Sequence, residues 1–146
     1  MGPQQPPEAH MTTKILTALA LCAASAIAAA QTAPASAAMT KAEYNAAKER
    51  IEMNHKNAKK ACDTLKDNAK DVCQEEAKGK ERVEKAELEN QYKPSPGHAR
   101  KLEEVKADTA YAIAKEKCED QAGDAEKVCK ADAKAAHERA IKATKG

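Results

Sequence analysis

Residues 62–73 read CDTLKDNAKDVC, and residues 118–129 read CEDQAGDAEKVC. Both are C-x10-C units, and they start 56 residues apart. The flanks repeat with them. Ala58-Lys59 matches Ala114-Lys115, Val72-Cys73 matches Val128-Cys129, and Ala77-Lys78 matches Ala133-Lys134. One unit is therefore used twice. Each unit carries turn signals at the centre of its cysteine pair. Asn68 stands as the N-cap of a new helix, and Gly123-Asp124 marks a stop followed by an N-cap. Residues placed symmetrically about a tight turn meet across antiparallel helices. This predicts one hairpin closed by Cys62–Cys73 and a second closed by Cys118–Cys129. The competing reading keeps each C-x10-C on one unbroken helix, where eleven residues climb about 16 Å, too far for a bond. The pairs would then cross between units, Cys62–Cys129 and Cys73–Cys118, as in twin C-x9-C hairpins, whose spacing is one residue shorter. Gly123 and the cap residues favour the local staples.

Outward from these turns the chain is rich in Ala, Glu and Lys, all strong helix formers. Thr40-Lys-Ala-Glu43 is a capping box that opens the first helix. Tyr44, Ile51, Ala58 and Leu65 follow at intervals of seven, a stripe along one face. Val72, Val83 and Ala86 form the inward side of the second helix. Pro94, Pro96 and Gly97 end it in a linker. Leu102, Val105, Thr109 and Ala112 make the third stripe, and Val128, Ala131 and Ala135 the fourth. The expected fold is all-α: one hairpin over residues 40–92, a linker over 93–98 and a second hairpin over 99–146. The two pack as an up-down four-helix bundle or stay an extended pair. The core is poor, because residues 31–146 hold fifteen Leu, Ile, Val, Met and Tyr against twenty-five Ala. Two disulfides closing short loops, about 3 kcal/mol each, are then comparable to the ~5 kcal/mol of a marginal domain.

The start of the chain reads as an address. Met11-Thr-Thr-Lys14 is a basic opening, Ile15 to Ala30 carries no charge, and Ala28-Ala29-Ala30 precedes Gln31. This predicts a secretory signal peptide over 11–30, cut between Ala30 and Gln31, with Ala38 as the second choice of site. The apolar run is shorter than the ~20 residues of a spanning helix, so no stable membrane insertion is expected after cleavage. Cys22 follows Leu21, where a lipobox wants a small residue, and reads as apolar filler. Residues 1–10 (MGPQQPPEAH) read as an extension ahead of the true start at Met11. Residues 31–39 read as a disordered mature N-terminus. The even count of Cys62, Cys73, Cys118 and Cys129 in an exported chain reads as two disulfides, and the expected location is periplasmic.

Three segments, MTKAEYNAAKERIE, ACDTLKDNAKDVCQEEAKGKE and AYAIAKEKCEDQAGDAEKVCKADAKAA, resemble a group of small exported Gram-negative proteins rich in Ala, Lys and Glu. Members are sometimes labelled cell-envelope or TolA-like. The resemblance spans about Met39 to the C-terminus, and the paired C-x10-C motifs are its specific part. It implies an envelope setting and carries over no activity and no catalytic residues.

Several kinds of chemistry lack their residues. A net charge of +2, from 25 basic and 23 acidic residues, supplies no field for nucleic acid. Three Tyr with no Trp or Phe supply no stacking platform. None of the four cysteines is in a C-x-x-C, and their spacing is too long for a structural zinc site. Met53 and His55 diverge on a helix, His98 falls in the linker, and His137 reads as a surface residue, so no metal ligand set converges. The many carboxylates alternate with Lys and Arg as solvated helix pairs. No cofactor and no catalytic residue is expected. The functional expectation is a non-enzymatic helical protein that engages periplasmic or envelope proteins, with stress or chaperone work included. A periplasmic metal- or small-ligand-binding protein and a thiol-disulfide redox protein are the alternatives.

Overall fold

The computed structural model describes residues 38–146. The signal segment, its cleavage site at Ala30 and Gln31, and Cys22 lie outside the described residues. Four helices follow one another: α1 (Lys41–Cys62), α2 (Asp67–Tyr92), α3 (Pro96–Cys118) and α4 (Asp124–Ala143). The order is up-down-up-down, so the turns after α1 and α3 share one end. The α2–α3 turn and the last residues of the chain lie at the other.

The start of α1 is the capping box. The Glu43 N–H donates to Thr40 Oγ1 at 3.2 Å, and the Thr40 N–H donates to Glu43 Oε2 at 2.8 Å. The helix ends at Cys62, so Leu65 does not continue the stripe of Tyr44, Ile51 and Ala58. It lies exposed in the turn. The cap of α2 also differs from the sequence expectation. Lys66 is the N-cap, with no side-chain bond, and Asp67 begins the helix at φ 50°, a left-handed conformation that Asp tolerates better than most residues. Asn68 instead reaches across to the end of α3, where its Nδ2 donates to Glu116 O at 2.8 Å. The Glu116 carbonyl already accepts the Glu119 N–H at 3.0 Å, and Asn68 gives it a second donor from across the layer.

The linker is shorter than the 93–98 expected. α3 already begins at Pro96, whose missing N–H costs nothing at a first helical position. Ser95 caps α3 by accepting the His98 N–H at 3.0 Å. Gly123 is itself the N-cap of α4, at φ 63°, so Asp124 is the first helical residue rather than the cap.

The packing follows from an unusual burial pattern. In α2, Ala77 and Gly79 are both buried although only two residues apart. Two residues are about 200° of rotation, so they face opposite ways. The Ala77 carbonyl accepts from His55 Nδ1 on α1 at 3.1 Å, while Gly79 abuts Thr109 on α3 so closely that an added Cβ would collide with Thr109 Cγ2. In α3, Ala107 and Thr109 repeat the pattern, with Thr109 toward α2 and Ala107 toward α4. Each central helix is thus gripped on two opposite sides.

Among the described residues the outer helices are gripped on one side only. α1 packs on α2, and α4 packs on α3. No Cα of α1 comes within 8 Å of α4. The four-helix arrangement is therefore an open layer and not a bundle closed by α1 against α4. Leu102, Val105 and Thr109 are buried as their stripe predicts. The fourth stripe is different: Val128 and Ala131 are exposed, Val128 to 60%, and Ala135 is only half-buried. α4 meets α3 through the half-buried Ala133, His137 and Ile141, with the exposed Ala136 lining the hollow between the two helices. No residue of α4 is fully buried.

Candidate functional site

Both disulfides are the local ones. Cys62–Cys73 joins α1 to α2 and Cys118–Cys129 joins α3 to α4, each with a Cα–Cα distance of 5.6 Å. Cys62 and Cys118 are only 1% exposed, whereas Cys73 and Cys129 are half-buried. The two staples sit at the same end of the layer. Lys117 pairs with Glu76 at 2.7 Å between them, and the Asn68–Glu116 bond lies beside that pair. Two disulfides in so small a domain belong to an oxidising, extracytoplasmic compartment. Among the described residues, no helix is long and apolar enough to cross a membrane.

The histidines are more engaged than the sequence suggests. His55 Nδ1 donates to the Ala77 carbonyl, and its Nε2 lies 3.5 Å from Glu81 Oε2. His98 is in the first turn of α3 rather than in a linker, and its Nδ1 donates to Lys93 O at 2.6 Å. His137, expected on the surface, stacks on Tyr111 with ring centroids 4.9 Å apart. Its Nε2 donates to Asp108 Oδ1 at 2.8 Å. Met53 is 57% exposed, away from His55. Among the described residues, no three His, Cys, Asp or Glu side chains converge to hold a metal ion.

The perturbed ionisations are those of paired surface groups. The Lys85 ammonium, hydrogen-bonded to Glu81, holds that carboxyl below its usual range. Glu126 raises Lys130, and Glu103 raises Lys106. At the far end of α1 the Tyr44 hydroxyl donates to Glu89, which raises its pKa, and the Tyr44 ring stacks on Tyr92 at 4.5 Å. The pairs Glu81–Lys85, Glu126–Lys130 and Glu103–Lys106 each lie within one helix, and Tyr44–Glu89 ties α1 to α2.

The hollows are shallow. A polar one of about 310 Å³ is lined by His55, Lys59, Asp71, Lys78 and Glu116, with charges of both signs. An apolar one of about 340 Å³ runs between α3 and α4 over Ala107, Ala114, Ala133 and Ala136. The features that remain open are the two edges of the layer: the outer side of α1, with Met53, and the outer side of α4, with Val128.

Sequence reasoning missed the Gly79–Thr109 crossing and the Tyr111–His137–Asp108 contact. The repeat held a signal for the second. At an offset of 56 residues His55 corresponds to Tyr111 and Glu81 to His137, so both hairpins place their cross-helix polar pair at the same level. No protein-family model matches the chain, and comparison with curated proteins and with solved structures finds no match either.

Proposed function

We propose that the chain is a non-enzymatic helical interaction protein of the periplasm, exported by its N-terminal segment and working through the open edges of its layer. The observation that carries this reading is the helix layer left unclosed, with large apolar side chains standing at both edges. Met53 and Val128 are more than half exposed on helices that each have a single neighbour among the described helices. Isolated apolar residues on a surface are ordinary. Here they mark the two helix faces that a second layer or a closed bundle would cover. The disulfides hold the layer together without a second face. The buried sulfurs of Cys62 and Cys118 weigh against thiol exchange, which needs an accessible thiolate.

The test is photo-crosslinking in intact cells from residues replaced at Met53, Val128 and, as a control, Lys101. The expected result is discrete adducts from Met53 and Val128 and none from Lys101. Absence of adducts at both edges contradicts the reading.

A further inference from the structure

The internal repeat says what would fit those edges. α3 and α4 repeat α1 and α2 at an offset of 56 residues. The edge of α4 therefore corresponds to the side of α2 that packs on α3, and the edge of α1 corresponds to the side of α3 that packs on α2. Val128 stands where Val72 stands, and Ala135 where Gly79 stands. Met53 stands where Thr109 stands. The exposed Met53 thus occupies the repeat position of the buried Thr109, and the exposed Val128 that of the half-buried Val72. We infer that a second copy of this chain adds edge to edge, its α1 against the outer side of α4, in the antiparallel register of α2 on α3. This rests on the reading of the chain as an interaction protein and names its partner.

The register can be followed along the interface. Gly79 opposite Thr109 sets the antiparallel alignment, and one helical turn further Val83 opposes Val105. The equivalents of that apolar pair at the edges are Arg139 on α4 and Glu49 on α1. Both are exposed, and neither makes an ion pair among the described residues. An apolar pair of half-buried Val83 and buried Val105 is therefore replaced, where two copies would meet, by opposite charges without partners among the described residues. Such a pair fixes register and suppresses wrong alignments. Ala135 lacks the clearance of Gly79, so the two helices sit further apart than α2 and α3. Met53, unbranched and flexible, spans that gap.

One pair does not carry over. Arg82 faces Asp108 at 3.9 Å within the chain, and its equivalents are Glu138 and Glu52, two carboxylates. Lys134 and Lys85 already pair with them. The edge contact is accordingly weaker than α2 on α3 and reversible. Each added copy presents a fresh α4 edge, so the contact is head-to-tail and extends beyond a pair unless curvature closes it into a ring.

The experiment is sedimentation of the oxidised full chain over a concentration series, with Glu49→Arg and Arg139→Glu made separately and their helicity checked by circular dichroism. Expected is a concentration-dependent ladder for the native chain, with association weakened about tenfold or more in either variant, because each places like charges face to face. Mixing the two variants pairs the reversed charges with each other and restores association. A native chain that stays monomeric into the millimolar range overturns the inference. So does an association that is indifferent to both reversals, or one that mixing does not restore. The cell crosslinks keep the broader reading separate: adducts at multiples of the chain's own mass belong to self-association, and adducts of other masses support an interaction protein with a different partner.

Discussion

Gly79 is the residue on which the layer turns. A glycine inside a helix costs about 1 kcal/mol relative to Ala, and this one is retained where any Cβ would strike Thr109 Cγ2 with Ile113 close behind. Gly79→Ala gains helix propensity but overpacks the α2–α3 crossing, which typically costs about 1–3 kcal/mol. The expected outcome is a lower melting temperature. Thr109→Ala removes the colliding methyl together with a hydroxyl that is buried without a partner, so the double variant recovers much of the loss. A thermal double-mutant cycle reads this directly, and a Gly79→Ala protein more stable than native contradicts it. Tyr44 makes a second prediction at this scale. Its hydroxyl donates to Glu89, which raises its pKa above the ordinary 10.0. A raised folded value means that the contribution to stability is complete below pH 10.0 and is lost as pH rises through the folded value. Ultraviolet titration should show one tyrosine ionising late. In Tyr44→Phe that late step disappears, and the alkaline loss of stability attached to it goes too.

The outer helices differ in how much holds them. α1 buries Ile51, stacks Tyr44 on Tyr92 and ties His55 to the Ala77 carbonyl. α4 buries nothing fully and keeps its Tyr111–His137–Asp108 contact, half-buried alanines and the Cys118–Cys129 bond. Replacing Cys118 and Cys129 together by Ala should release α4 and leave the rest of the layer protected. Replacing Cys62 and Cys73 should loosen α1 at its disulfide end and leave protection around Ile51. Hydrogen exchange resolved by helix distinguishes the two, and equal protection of α1 and α4 in the paired variants contradicts the asymmetry. The elements themselves were legible. The capping box at Thr40, the cysteine spacing and the Ala/Glu/Lys composition pointed to four helices and to local staples. The faces were less legible, because an Ala-rich helix presents small residues on every side and a search for one stripe per helix returns one of several. In α4 the stripe of Val128, Ala131 and Ala135 leaves the first two exposed and the third half-buried. The turns were displaced for a related reason: Asn68 has the chemistry of an N-cap, but the α3 carbonyl across the layer takes its side chain.

At the scale of the whole molecule, burial at Ala77 with Gly79 and at Ala107 with Thr109 separates an open layer from a closed bundle. A bundle helix buries one broad stripe, whereas a helix in the middle of a layer buries two narrow opposite ones, and narrow faces suit Ala, Gly and Thr. The open edges are the consequence, and both the interaction reading and the self-association inference depend on them. The most direct measurement is therefore the distance between the outer helices. Spin labels carried on unnatural side chains at Lys56 in α1 and Lys134 in α4, diluted with unlabelled chain, would report it by pulsed dipolar spectroscopy. Three successive interaxial spacings of 8–10 Å put α1 and α4 about 25–30 Å apart in the layer. A separation of about 10 Å between the two helices, the spacing of direct neighbours, would mean a closed bundle and would contradict the account.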